Sequence, residues 1–222
     1  MNTNSPILFL IFNRPDTTKI VFERIREAQP KQLFIAADGP RANFPSDIEQ
    51  CELTRQIVNM IDWECEVHLL FRASNLGCKK GVSSAINWFF ENVEQGIILE
   101  DDCVPHPSFF RYCEELLNYY MDNPNIMVIS GDNFLFGKVI TNASYFFTKY
   151  AHIWGWATWK RAWLRFHEWE NNPIPIDMGI FKNRAEKKFW RQKLLEIKNQ
   201  KMIYTWDYQW ALVCMAYKSL CI

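Results

Sequence analysis

A chain of 222 residues, 49% of them hydrophobic, has material for one well-filled domain or for a domain with a small lobe. Its 25 Lys and Arg balance its 25 Asp and Glu, so no overall basic field draws it to nucleic acid and no long charge run marks a disordered tail. Seven Cys, odd in number and nowhere spaced C-x-x-C, exclude a disulfide framework or a zinc finger and fit reduced thiols in a cytoplasmic protein.

The segment before Ile7 is short and polar, and the apolar stretch that follows is too brief for a signal peptide. No apolar run reaches the roughly 20 residues needed to span a bilayer, so any membrane contact is expected to be peripheral, at the inner face. The 10 Trp are many. An indole is costly to bury without a partner for its N–H, which places many of them along a cleft or an interface.

The continuous apolar run over residues 7–12 predicts a strand buried on both faces of a parallel sheet. It ends at Asn13-Arg14-Pro15-Asp16, a turn that can start a helix running to about Ala28, with Ile20, Val21 and Ile25 inward. Residues 32–37 read as a second strand, closed by Asp38-Gly39-Pro40. Residues 46–62 read as a helix, with Ser46 and Glu49 fitting a capping box, and residues 65–71 as a third strand. A loop at Ser74-Asn75-Leu76-Gly77 leads into a helix whose Val82, Ala85, Ile86, Phe89 and Phe90 form one apolar stripe. Residues 96–99 form a short buried strand running straight into Glu100-Asp101-Asp102. Pro107 opens another amphipathic helix, and residues 126–129 make a further strand ending at Ser130-Gly131-Asp132-Asn133.

Beyond about residue 140 aromatics dominate, residues 185–199 read as a basic amphipathic helix, and residues 206–217 as a last helix. No internal repeat or low-complexity segment is present. Repeated β-α units with four or five buried strands predict an α/β fold with a mixed, mostly parallel central sheet flanked by helices. Ligands of such sheets sit beyond the carboxyl ends of the strands. The polar clusters Asn13-Arg14, Asp38-Gly39, Glu100-Asp101-Asp102 and Gly131-Asp132-Asn133 all fall there, and their convergence on one edge is the physical argument for a site.

In the acidic triplet, strand alternation is expected to put Glu100 and Asp102 on one side. Carboxylates this close repel one another unless a cation intervenes, and hard oxygens suit Mg²⁺ or Mn²⁺ with phosphates as further ligands. A solvated acidic turn is the bland reading, and the preceding buried strand weighs against it. Arg14 can fork onto a phosphate, against the plain reading of a turn before a helix. Asp38 can accept hydrogen bonds from a base or ribose, with Gly39 admitting the ligand to the backbone. Asn75, Gly77 and Lys80 lie where a helix N-terminus offers N–H groups to an anion. The G-x-x-x-x-G-K-[ST] and G-x-G-x-x-G patterns are both absent, which argues against a P-loop and against a dinucleotide-binding dehydrogenase.

Trp156, Trp159 and Trp163 have helical spacing and suggest core. Trp154-Gly155-Trp156 reads instead as a loop with indole faces free to stack on a sugar. Asp207, an acid among aromatics in Thr205-Trp206-Asp207-Tyr208, suits a general base, against a plain role at the start of the last helix. His68 reads as packed, His106 as a surface turn and His152 as a cleft candidate; His167 has no partner legible in sequence.

In order, F-N-R-P at 12–15, D-G-P at 38–40, N-L-G at 75–77, I-L-E-D-D-C at 98–103, F-F at 109–110, S-G-D-N at 130–133, W-G-W-A-T-W at 154–159 and T-W-D-Y-Q-W at 205–210 resemble a bacterial group of GT-A glycosyltransferases. The resemblance covers nearly the whole chain, and I-L-E-D-D-C and W-G-W-A-T-W are its most specific pieces. More distantly the chain is similar to N-acetylglucosaminyltransferase I. The resemblance implies a single GT-A (Rossmann-like) domain, with a nucleotide-sugar half over residues 1–135 and an acceptor-side half over 136–222. It implies that Arg14 contacts the nucleotide or its phosphates and Asp38 the base or ribose. Asp102 would ligate the metal, Mn²⁺ or Mg²⁺, while Glu100 and Asp101 would hold the sugar or ribose and orient water ligands. Asp207 would be the base of an inverting displacement. The donor implied is a UDP-sugar and the acceptor a glycan or lipid-linked hydroxyl in cell-surface polysaccharide synthesis. In that group more chain follows T-W-D-Y-Q-W; here the sequence stops at Leu220-Cys221-Ile222, inside what reads as a strand, as a truncated C-terminus would.

Three other readings compete. A sugar nucleotidyltransferase normally needs a Gly-rich N-terminal phosphate loop, which Asn13-Arg14-Pro15-Asp16 is not. A binding module without turnover would keep the aromatics and lose the chemistry. A structural domain would use its Trp cluster as an oligomer interface. The basic face of residues 185–199, with Lys187, Lys188, Arg191, Lys193 and Lys198, reads as a solvated face before it reads as a bilayer contact.

Overall fold

The computed structural model describes residues 3–138, 141–199 and 204–222. In chain order the elements are β1 (Ile7–Ile11), α1 (Pro15–Ala28), β2 (Gln32–Ala37), α2 (Ser46–Arg55), β3 (Glu66–Phe71), α3 (Gly77–Asn92), β4 (Gln95–Glu100), α4 (Ser108–Tyr119) and β5 (Ile126–Ser130). Then come β6 (Trp156–Trp159), α5 (Lys160–Asn171), α6 (Arg184–Lys198), α7 (Asp207–Ala216) and β7 (Leu220–Cys221). One seven-stranded sheet has the order β3-β2-β1-β4-β6-β5-β7. Six strands run parallel; β6 runs antiparallel to both β4 and β5. The sheet is the mixed, mostly parallel α/β sheet expected.

Helices cover both faces. On one, α3, α5 and α7 pack Ala85, Phe89, Trp163, Phe166, Trp210 and Val213 against Leu8, Phe34 and Ile98. On the other, α1 and α4 pack Val21, Phe22, Ile25, Phe110, Cys113 and Leu117 against Ile7, Phe9, Ile35 and Leu99. Burial on both faces is why β1, β2 and β4 read as unbroken apolar runs rather than alternating ones. The sheet edge at β3 departs from this, with Val67, Leu69 and Phe71 exposed.

Several local expectations are corrected. Ser46 is the first helical residue rather than the cap; Pro45 takes the cap position with no side-chain hydrogen bond, so no capping box forms. The helix there ends at Arg55 and continues as a 3₁₀ turn over Gln56–Met60. Ile20 is exposed, and Phe22 takes the inward place beside Val21 and Ile25. Trp156 and Trp159 lie in a strand, not a helix, because residues 156–159 insert between β4 and β5. Most Trp are core residues: the indole N–H of Trp159 donates to the Leu117 carbonyl at 3.0 Å and that of Trp163 to Asn87 at 2.6 Å. The same Asn87 meets His167 at 2.6 Å, a partner the sequence did not reveal. His68 stacks on Phe34.

Parallel strands deliver their carboxyl ends to one edge. There the chain leaves β1 at Phe12, β2 at Asp38, β4 at Asp101 and β5 at Gly131. Since β6 runs the other way, its start at Trp154-Gly155 falls at the same edge, pinned by the Gly131 N–H donating to the Gly155 carbonyl at 2.8 Å. Among the described residues, no helix is long and apolar enough to cross a membrane.

Candidate functional site

Strand β1 has β2 on one side and β4 on the other, and the chain crosses in opposite directions from it, so a crevice opens between the carboxyl ends of β1 and β4. Arg14 stands at the cap position of α1 outside the helical region, with φ −124° and ψ 74°, as the following proline disfavours helical backbone there. Its guanidinium bridges the crevice, bonding Asp101 and, at 2.9 Å, Asp102. Strand β4 ends at Glu100, and Asp101 and Asp102 lie in a turn, so the alternation expected to carry Glu100 and Asp102 to one side stops at Glu100 and does not extend to Asp102. Asp101 is 2% exposed, with one oxygen on Arg14 and the other accepting the Phe12 N–H at 3.2 Å. Both of its oxygens are thus engaged by the chain itself, one by Arg14 and one by the β1 end. Asp102 keeps about half its side chain open, 49%.

Charge is unbalanced here. Burial, then the carboxylates of Asp102 and Asp101, push the Glu100 carboxyl up to about 7, with Asp207 adding to the effect and Arg14 opposing it. Burial lifts the Cys103 thiol to about 12. Asp207, the first residue of α7, thus belongs electrostatically with Glu100, and its Oδ1 is buried with no hydrogen-bond partner among the described residues.

On the β2 side, Asp38 accepts the backbone N–H groups of Gly39, Leu76 and Gly77 at 3.0–3.2 Å. Asn75 donates to the Gly39 carbonyl at 2.9 Å and accepts the Gly77 N–H at 3.1 Å. These two residues build the loop that presents the α3 N-terminus, with Gly77 in the left-handed region at φ +78°. Lys80 is exposed on the first turn. A Cβ on Gly39 would lie 2.4 Å from the Ser74 backbone. The close approach that requires glycine is thus made by the chain itself, not by a ligand as expected. Asn13 does not face the crevice alone. It donates to Asp47 at 2.8 Å, and Asp47 also holds Arg41 through the backbone N–H and the guanidinium. Arg41 lies over Phe44 and beside Phe12. Asp47 and Arg41 were not legible as site residues, because Asp47 reads as an ordinary first-turn acid of α2.

Beyond Asp102, a cavity of about 1200 Å³ opens between the β4–α4 turn and the loops around β5 and β6. Trp154, 56% exposed, lines it, with Gly155 (φ +76°) beneath. Trp156 does not: it is wholly buried, with Trp206 stacked on it and Trp163 and Trp210 close by, so it has no face to offer a sugar. Asp132 and His152 also line the cavity. His106 is bonded to Ser108 at 2.8 Å, at the start of α4.

Among the described residues, no group of three or more His, Cys, Asp or Glu is arranged to hold a metal ion unaided. The donors fit a hard divalent cation all the same. Asp102 is an exposed carboxylate, and Glu100, raised first by burial, adjoins two further carboxylates whose effect on it Arg14 opposes. Mg²⁺ and Mn²⁺ accept one or two carboxylates and complete their shell with water and substrate phosphates.

No known family profile matches the chain, and no curated protein does. Among solved structures it is similar to 4-diphosphocytidyl-2C-methyl-D-erythritol synthase from Anaerococcus prevotii, at 8% identity and TM-score 0.42 over 85% of both chains. It is also similar to HddC from Yersinia pseudotuberculosis (8%, TM-score 0.36, 55% of this chain and 57% of that one) and to a UDP-glucose pyrophosphorylase in complex with UDP-glucose (12%, TM-score 0.34, 58% and 56%). In the last two the match spans little more than half of the other protein. Identities and scores this low say nothing of shared chemistry; the α/β fold stands on the strand order and register given above.

Proposed function

We propose that this chain is a divalent-cation-dependent glycosyltransferase of GT-A type, taking a sugar from a nucleoside-diphosphate donor, a UDP-sugar first among them, to a hydroxyl of a glycan or lipid-linked acceptor. The observation that carries the reading is Arg14 bridging Asp101 and Asp102 at the crevice between β1 and β4, with Glu100 next in the chain and Asp207 within electrostatic reach of Glu100. Asp102 would hold the cation and Arg14 the phosphates of the donor, each giving up its place in this bridge for a partner of matching charge. The bound cation, Mn²⁺ or Mg²⁺, supplies charge stabilisation to the diphosphate leaving group. The loop shaped by Asp38, Asn75 and Gly77 spends its own N–H groups on Asp38 and Asn75 and so fixes the start of α3, whose next first-turn N–H groups would face an anion, with Lys80 on the same turn. Glu100 accepts a sugar or ribose hydroxyl. Asp207, its Oδ1 lacking a partner, takes the proton of the acceptor hydroxyl, and attack opposite the leaving group inverts the anomeric centre.

The test is thermal melting with UDP, GDP, CDP, ADP and dTDP, with and without Mn²⁺, on wild type and Asp102→Ala. One nucleotide is expected to stabilise only with Mn²⁺, by roughly 2.7 kcal/mol at a hundred times its Kd, and the variant to lose the effect. Release of that nucleotide from its sugar conjugate then marks glycosyl transfer. Pyrophosphate release from a nucleoside triphosphate and a sugar phosphate marks nucleotidyl transfer instead, and binding without turnover marks a binding module. Stabilisation by none of the nucleotides, with Mn²⁺ present, removes the reading.

A further inference from the structure

The cavity beyond Asp102 holds a feature that donor binding does not use. Asp132 has both carboxylate oxygens buried, and its own backbone N–H apart they meet no hydrogen-bond donor among the described residues. The imidazole Nδ1 of His152 stands 3.7 Å away, beyond hydrogen-bonding reach. Buried carboxylate oxygens are costly when left unpaired, so an orphaned pair at a cavity wall points to a ligand that brings the donors.

The pair is held rigidly. Ser130, at the end of β5, donates its hydroxyl to the His152 carbonyl at 3.0 Å and accepts the His152 N–H at 3.3 Å. Gly131 is locked against the same segment, since a Cβ there would lie 2.6 Å from the Phe109 ring and 2.7 Å from the Gly155 carbonyl oxygen. Around His152 stand two exposed aromatic rings, Phe134 at 4.9 Å and Trp154 at 6.3 Å between centroids, the latter stacked at 28°.

The ligand chemistry follows. A carboxylate repels an anionic group and can only accept hydrogen bonds, and the apolar rings around it suit a neutral molecule, so the missing partner is a neutral hydroxyl donor. Two free oxygens on one carboxylate match two adjacent hydroxyls. Exposed aromatic faces match the C–H face of a pyranose. The volume of about 1200 Å³ exceeds that of an ordinary small-molecule pocket, roughly 300–1,000 Å³, and leaves room for more than one sugar unit beside Asp102.

We propose that Asp132, set by the Ser130–His152 clasp, is the acceptor subsite: it binds two vicinal hydroxyls of a neutral pyranose whose apolar face lies on Trp154. This deepens the transferase reading and rests on it for the term acceptor. The experiment measures binding of the methyl pyranosides of glucose, galactose, mannose and N-acetylglucosamine, with choline as a cationic control, by saturation-transfer NMR. It is run on wild type, Asp132→Asn and Trp154→Ala, with the nucleotide and Mn²⁺ melting series in parallel. At least one pyranoside is expected to bind wild type and to weaken at least tenfold in both variants, whose nucleotide response stays unchanged. Asp132→Asn is expected to melt at or above wild type, because removing an orphaned charge relieves the fold, whereas a structural carboxylate would lower it. Pyranosides binding Asp132→Asn as well as wild type, binding neither, or choline binding in their place overturns the subsite while the nucleotide series still stands. Sugar binding lost in the variants, without any nucleotide response in wild type, keeps the subsite and overturns the donor reading.

Discussion

Replacing Glu100 with Gln tests the electrostatics of the crevice directly. An unfolded glutamate loses its proton near pH ~4.3, whereas burial and the neighbouring carboxylates of Asp102 and Asp101 hold the folded Glu100 carboxyl protonated up to about 7. Between those values the folded state binds more protons than the unfolded one, so stability falls as pH rises through the window and levels off above it. A displacement of this size is worth at most about 3.7 kcal/mol, and water reaching the crevice reduces it, so about 1–3 kcal/mol is expected. Glu100→Gln keeps the shape and removes the titration. At pH 8 the variant should therefore melt above wild type by about 2–4 °C per kcal/mol for a domain of this length, and at pH 4.5 the two should melt together. The assay is a set of melting curves from pH 4.5 to 8.5 for both proteins, compared by difference so that other groups cancel. A difference that stays constant across the range, or that shrinks toward pH 8, refutes the argument that uncompensated charge is stored at Glu100.

Two further predictions concern the loops that shape the crevice. Asp47, 2% exposed, is paired with Arg41 and Asn13, and these bonds hold its carboxyl well below the usual aspartate range; Asp47→Ala should cost about 2 kcal/mol by chemical denaturation. Its contribution is complete above the unfolded aspartate value of about 4 and fades as pH falls toward its folded value, so wild type and variant should converge in acid, the opposite pH sense to Glu100. Gly39→Ala drives a Cβ to 2.4 Å from the Ser74 backbone and should cost roughly 2–3 kcal/mol or prevent folding. Gly77→Ala meets open space and pays only for its positive φ, about 1–2 kcal/mol. Equal melting temperatures for the two glycine variants would show that the β2 and β3 loops are not packed as described.

Apolar runs bounded by polar turns are a local signal, and they carry the strands, the layer order and the sheet type. A strand buried on both faces has no choice but to be apolar throughout, and the end of such a run marks where polar groups reach the edge. That is why Arg14, Asp38, Glu100-Asp101-Asp102 and Asp132 could be named from the chain alone as sharing one edge. What the side chains do there is decided by partners far away in sequence. Asp101 and Asp102 are neighbours, yet one is sealed beneath Arg14 and the other left open, because Phe12 and Arg14 arrive from β1. Trp154 and Trp156 stand two apart; one stays exposed, and the other is covered because residues 156–159 enter the sheet against the grain and α7 packs over them. Asp47, Arg41 and the orphaned oxygens of Asp132 left no trace in local pattern, since pairing and its absence are properties of the assembled packing. Local periodicity set the scaffold and the edge, while long-range packing chose which of the polar groups at that edge remain free to act.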